Sequence, residues 1–95
     1  MIQSRKECIV CRSTRNLHRH HIFYGSANRK NSERFDLTCW LCQDHHESTY
    51  GVHGKYGENL NRELKELAQR EFEKNHTREE FVHIFGRNYI DDTDL

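Results

Sequence analysis

The chain has 95 residues, 34% hydrophobic and 32% charged, with no proline and a formal net charge of zero. A thin-cored single domain follows, of a size that often needs a metal, disulfides or a partner to fold stably. No apolar run approaches the roughly 18–20 residues that span a membrane, and the opening MIQSRKE has no apolar signal region, so the sequence reads as a soluble cytoplasmic chain.

The neutral total hides an asymmetry. Residues 1–34 carry eight Lys/Arg against two acids, and residues 35–95 seven against thirteen. A basic half suits a polyanion such as nucleic acid, and equally an ordinary solvated surface.

In chain order, residues 4–14 read as a turn carrying Cys8-x2-Cys11. The segment 17–24 alternates loosely as a strand and crowds His18, His20 and His21 into four positions. Residues 25–34, with Gly25, Ser26, Asn28 and Asn31, read as a loop. A second strand is expected over 35–41, and helix from Cys42 to about Ser48, carrying His45 and His46. Residues 50–57 hold three glycines and read as loop.

In NLNRELKELAQREFEK, Leu60, Leu64, Leu67, Ala68 and Phe72 follow helical spacing, interrupted by Glu71. Asn75-His76 ends that helix. Thr77-Arg78-Glu79-Glu80 opens another as a capping box, with Phe81, Ile84 and Phe85 inward and Gly86 as its stop. These two helices read as scaffold. The acidic tail 91–95, DDTDL, reads as flexible. The organisation predicted is one domain over 1–95, with a metal-stapled core over 4–50 and a helical extension over 58–90.

Two cysteine pairs, Cys8-x2-Cys11 and Cys39-x2-Cys42, point to tetrahedral zinc before disulfides in an intracellular chain. Cys42-x2-His45 offers a competing donor at a helix start, with Cys39 then a buried apolar residue. Spacing alone leaves Cys39 and His45 open as the fourth ligand. A strand pair followed by a helix would bring His20 or His21 beside His46, where imidazoles can hold a divalent ion and activate water. Strand neighbours face opposite sides, so one of His20 and His21 should face that cleft. His18, His76 and His83 read as ordinary residues.

Cys8-x2-Cys11, His20-His21-Ile22-Phe23 and Leu41-Cys42-x2-His45-His46 together resemble a zinc-stapled HNH endonuclease of the ββα-metal superfamily. The runs Gly25-Ser26-Ala27-Asn28-Arg29-Lys30, Gly51-Val52-His53 and Phe85-Gly86-Arg87-Asn88-Tyr89 are similar to small phage proteins grouped with the recombination-enhancing, RecA-dependent nucleases. The resemblance implies an α+β fold, a ββα-metal motif with added C-terminal helices. It implies structural zinc on Cys8, Cys11, Cys42 and His45, and His21 as the general base. His20 and His46 would hold a catalytic Mg²⁺ or Mn²⁺, with His53 as a further ligand, a phosphate contact or an exposed loop residue. Arg29 and Lys30 would contact phosphate. The substrate implied is DNA, the setting a phage or prophage protein in a bacterial cytoplasm, and the partner a recombinase filament. The family's middle Asn has no obvious counterpart: Asp36, Asn28 and Asn31 all compete. The alternatives are a non-catalytic zinc-stabilised nucleic-acid-binding module, and a structural zinc protein that binds another protein through its acidic helices.

Overall fold

The alternation of β-favouring and polar residues in LHRHH and TCWLC builds the central element. Strands β1 (Leu17–His21) and β2 (Thr38–Cys42) pair antiparallel, with Leu17 opposite Cys42, His20 opposite Cys39 and His21 opposite Thr38. Because opposed residues share a face, His18, His20, Cys39 and Leu41 lie on one side and Arg19, His21, Trp40 and Cys42 on the other. The computed structural model describes residues 1–90. Around this ribbon stand α1 (Ser26–Arg34), α2 (Gln43–His46), α3 (Glu58–Phe72) and α4 (Arg78–Phe85). The architecture is α+β, as expected, with two strands and four helices among the described residues.

Several boundaries depart from the sequence reading. The expected loop over 25–34 is the nine-residue helix α1. Its Gly, Ser and Asn residues read as turn formers, but Ala27, Arg29, Lys30, Glu33 and Arg34 favour helix. Gly25 supplies the break before the helix, with φ 92°. Ser32 is fully buried; its hydroxyl donates to the Phe23 carbonyl and accepts the Phe23 N–H, anchoring α1 to the end of β1. The first strand ends at His21 rather than Tyr24. The second begins at Thr38 rather than Phe35, because Asp36 takes φ 56° and interrupts extended backbone.

The core sits between the ribbon and the C-terminal helices. Phe23 lies 4.6 Å from Phe85 and 5.4 Å from Phe81, centroid to centroid, and Phe72 lies 5.5 Å from Phe81. The buried stripe of α3 is Leu64, Ala68 and Phe72, while Leu67 faces out, 46% exposed. Between them, buried Gln69 donates to Glu73 and Asn88 and accepts the Tyr89 N–H at 2.7 Å, which ties residues 88–89 against α3. The capping box of α4 forms as read, with Thr77 and Glu80 bonded reciprocally. Gly86 closes α4 in a left-handed conformation. No described helix is long and apolar enough to cross a membrane. The acidic stretch 91–95, read as flexible, lies outside the described residues.

Candidate metal centres and catalytic cleft

Cys42 ends β2 and caps α2, so the chain turns there and His45 returns one turn later. Cys8 comes from the turn before β1, where its backbone carbonyl accepts the Arg12 N–H and closes Cys8-x2-Cys11 into a loop. The two segments bring Cys8, Cys11, Cys42 and His45 together, with ligand atoms all within 4.8 Å of one another. The edges are 3.8 Å for Cys11 Sγ to Cys42 Sγ, 3.7 Å for Cys8 Sγ to His45 Nδ1, and 3.2 Å for Cys42 Sγ to His45 Nδ1. A tetrahedral zinc with Zn–S of about 2.3 Å and Zn–N of about 2.0 Å needs S···S edges of about 3.8 Å and S···N edges of about 3.5 Å. The four residues could therefore hold a metal ion. Burial opposes ionisation of Cys8, but N–H groups of Cys42, Cys11 and Val10 outweigh it and lower the thiol to about 7, favouring the ligating thiolate.

Cys39 is the donor that does not join. It stands three residues before Cys42 on a strand, hence on the opposite face, and is fully buried. Burial pushes its thiol up to about 12, so it packs as a small apolar side chain.

The opposite face of the ribbon carries the second cluster. His20, His46 and His53 present ring nitrogens within 4.8 Å of one another. Consecutive residues of α2 thus join two clusters: His45 joins the thiols, and His46, about 100° further round the helix, turns to His20. His53 arrives through the segment after α2, which folds back so that the Val52 N–H donates to the His45 carbonyl and the His53 N–H to the His46 carbonyl. The glycines there permit close approach. A Cβ on Gly51 would stand 2.7 Å from the Asp44 carbonyl oxygen, and one on Gly57 would collide with the Gly51 carbonyl.

His20 is 2% exposed, and its Nε2 is buried without a hydrogen-bond partner. Burial, reinforced by His46 and His53, lowers its pKa to about 3, so it is a neutral imidazole with a lone pair to offer. That orphaned nitrogen, on a ring whose centroid lies 5.3 Å from those of His46 and His53, fits a cation site.

His18, read as ordinary, belongs to this site. Its Nδ1 lies 2.9 Å from Nδ1 of His46. That is a hydrogen-bond distance, shorter than the roughly 3.3 Å edge of two nitrogens on one zinc. The contact restrains the ring of His46, which also groups with His18 and Glu47 as a possible ligand set. The period of two from His18 to His20 was the available signal.

Arg19, His20, His21, Tyr24, Arg29, His46 and His53 line an open cleft of about 240 Å³. His21 lies outside the three-imidazole set, and its Nε2 is 2.7 Å from Glu33 Oε2. Arg19 donates to the other Glu33 oxygen at 3.1 Å. Hydrogen bonds from His21 and Arg19 hold the Glu33 carboxyl below its ordinary value. An ionised carboxylate only accepts, so His21 donates from Nε2, which in the neutral ring places the lone pair on Nδ1. Glu33 carried no signal in the sequence because residues 25–34 were read as loop. Arg29 lines the cleft and Lys30 does not. Of the three candidates for the missing Asn, Asn31 donates to the Ile84 carbonyl at 3.4 Å, joining α1 to α4, and Asp36 is an exposed left-handed residue 3.9 Å from the N-terminal amine. Neither reaches the cleft, and Asn28 is half-buried on α1. Comparisons with protein-family models, with curated proteins and with solved structures find no match to this chain.

Proposed function

We propose that the chain is a metal-dependent DNA endonuclease of the ββα-metal type, hydrolysing phosphodiester bonds in the cleft between β1 and α2. The observation that carries the reading is the buried His20 imidazole, its Nε2 unpartnered, grouped with those of His46 and His53 in a cleft that His21 also lines. In this reading Cys8, Cys11, Cys42 and His45 hold structural zinc, which supplements a thin core.

His20, His46 and His53 would hold the catalytic cation, which supplies charge stabilisation to the developing phosphorane and the leaving oxygen. Three imidazoles suit a borderline transition ion better than Mg²⁺, which prefers oxygen donors. Mn²⁺, Co²⁺, Ni²⁺ or Zn²⁺ therefore fits this site better than the Mg²⁺ implied by the resemblance. His21, oriented by Glu33, would take a proton from the attacking water on Nδ1. Arg29 contributes positive charge toward the nonbridging oxygens. Backbone-directed recognition is consistent with a cleft offering few groups for base edges.

Supercoiled plasmid and single-stranded DNA, incubated with zinc-loaded protein and each divalent ion, test this directly. Cleavage that needs a divalent ion and falls at least 100-fold in His21→Ala supports the assignment. A folded, zinc-loaded sample that cleaves nothing, with or without an added recombinase filament, favours the non-catalytic binding module.

A further inference from the structure

Among the described residues a second cavity stands apart from the histidine cleft. It has a volume of about 560 Å³ and lies between α3 and the segment after α4. Glu58, Asn61, Arg62 and Lys65 recur at 3, 4 and 7 residues from the first, so they line one face of α3. Arg87 and Tyr89 form the facing wall, which buried Gln69 holds in place. Three cations meet one acid here, and among the described residues no carboxylate pairs with Arg62, Lys65 or Arg87.

Aromatic rings interleave with these cations. Lys65 Nζ is 4.7 Å from the Tyr24 ring centroid and 5.5 Å from that of Tyr89, and Arg87 Cζ is 4.9 Å from Tyr89. Tyr24 is also a wall of the histidine cleft, 5.2 Å from His53 and 6.1 Å from His20. Its hydroxyl accepts a 2.8 Å hydrogen bond from Asn61, whose own Oδ1 is buried and unpartnered. Tyr24 thus lines the cleft and touches Asn61 and Lys65, which line the cavity, so it stands between the two.

We infer that this cavity binds the phosphodiester backbone of a nucleic-acid strand running out of the cleft, with Arg62, Lys65 and Arg87 on phosphate and Tyr24 and Tyr89 as stacking platforms. The inference rests on the nuclease reading and adds where the substrate lies. It assigns strand binding to α3 and residues 87–89 rather than to the basic first third of the chain. Cationic grooves interleaved with aromatics bind single strands through phosphate contact and base stacking.

The test is fluorescence anisotropy of a labelled single-stranded oligonucleotide, titrated with zinc-loaded protein across a salt series without added divalent ion. Three proteins are compared: wild type, Lys65→Gln/Arg87→Gln, and Arg5→Gln/Arg15→Gln, which removes the same charge from exposed residues of the basic segment. Each lost phosphate contact on a single strand lowers the salt slope by about 0.7. The pocket variant should lose about 1.4 from its slope and bind at least tenfold more weakly, while the other pair stays near wild type. Thermal melts verify that both variants fold. Equal binding by the pocket variant and wild type, or equal weakening in the Arg5/Arg15 variant, overturns the inference and leaves the nuclease reading standing if wild type still cleaves. Wild type that neither binds nor cleaves removes both.

Discussion

Replacing Cys11 with alanine isolates the contribution of the metal staple to stability. Cys11 is exposed, so truncation opens no cavity, and the stability lost belongs to the metal. Cys39 supplies the control, since it is fully buried and on the far face of β2. Cys39→Ala should cost about 1 kcal/mol for one buried heavy atom and leave the zinc content at one per chain. A metal present at 1,000 times its dissociation constant stabilises the folded chain by about 4.1 kcal/mol. At about 4–8 °C per kcal/mol for a domain of this size, Cys11→Ala should lower Tm by about 16–33 °C, against about 4–8 °C for Cys39→Ala. Thermal unfolding by circular dichroism, with elemental analysis before and after chelation, reads both. If Tm is indifferent to the chelator, or zinc follows Cys39 rather than Cys11, the assignment of the four ligands is wrong.

Other perturbations test separate parts of the structure. His18→Ala removes the group that fixes His46 and should reduce second-metal affinity or cleavage about 10–100-fold at unchanged zinc content. Thr77→Ala breaks the capping box and should cost about 1 kcal/mol in thermal unfolding. The Thr77 N–H, then His76, hold Glu80 below its ordinary value of 4.5. Its contribution to stability is therefore complete above that value and is lost as pH falls through the depressed one, a limb that His76→Ala should reduce. Gly57→Ala drives a Cβ into the Gly51 carbonyl, so it should displace His53 and abolish second-metal binding.

Legibility in the sequence followed the strength of the local signal. The α4 capping box, the Gly86 stop and the two-strand pair were all readable, because periodicity and cap chemistry are local. The Cys8, Cys11, Cys42 and His45 set was one of two readings by spacing. Strand parity decides it, since it puts Cys39 and Cys42 on opposite faces once β2 is known to extend through both. Helix α1 was missed because its polar turn-forming residues outweighed its helix formers, and with it went Glu33 as the partner of His21. His53 could not be placed from sequence, since its position depends on residues 51–57 folding back onto α2 through backbone hydrogen bonds. The cationic face of α3 was masked by the acidic total of the C-terminal two-thirds: Glu63, Glu66 and Glu71 share the helix without lining its cavity.

The central claim is that one chain holds two metal centres on opposite faces of a two-stranded ribbon, a thiolate-imidazole staple and a three-imidazole cleft. Calorimetric titration of one-zinc protein with further Zn²⁺ or Mn²⁺, wild type beside His53→Ala, tests it most directly. His53 is exposed, so its truncation should leave the fold intact. The account predicts one further equivalent bound by wild type and lost in His53→Ala, with Tm and the first zinc unchanged. Uptake of no second ion by wild type, or equal uptake by His53→Ala, would contradict it.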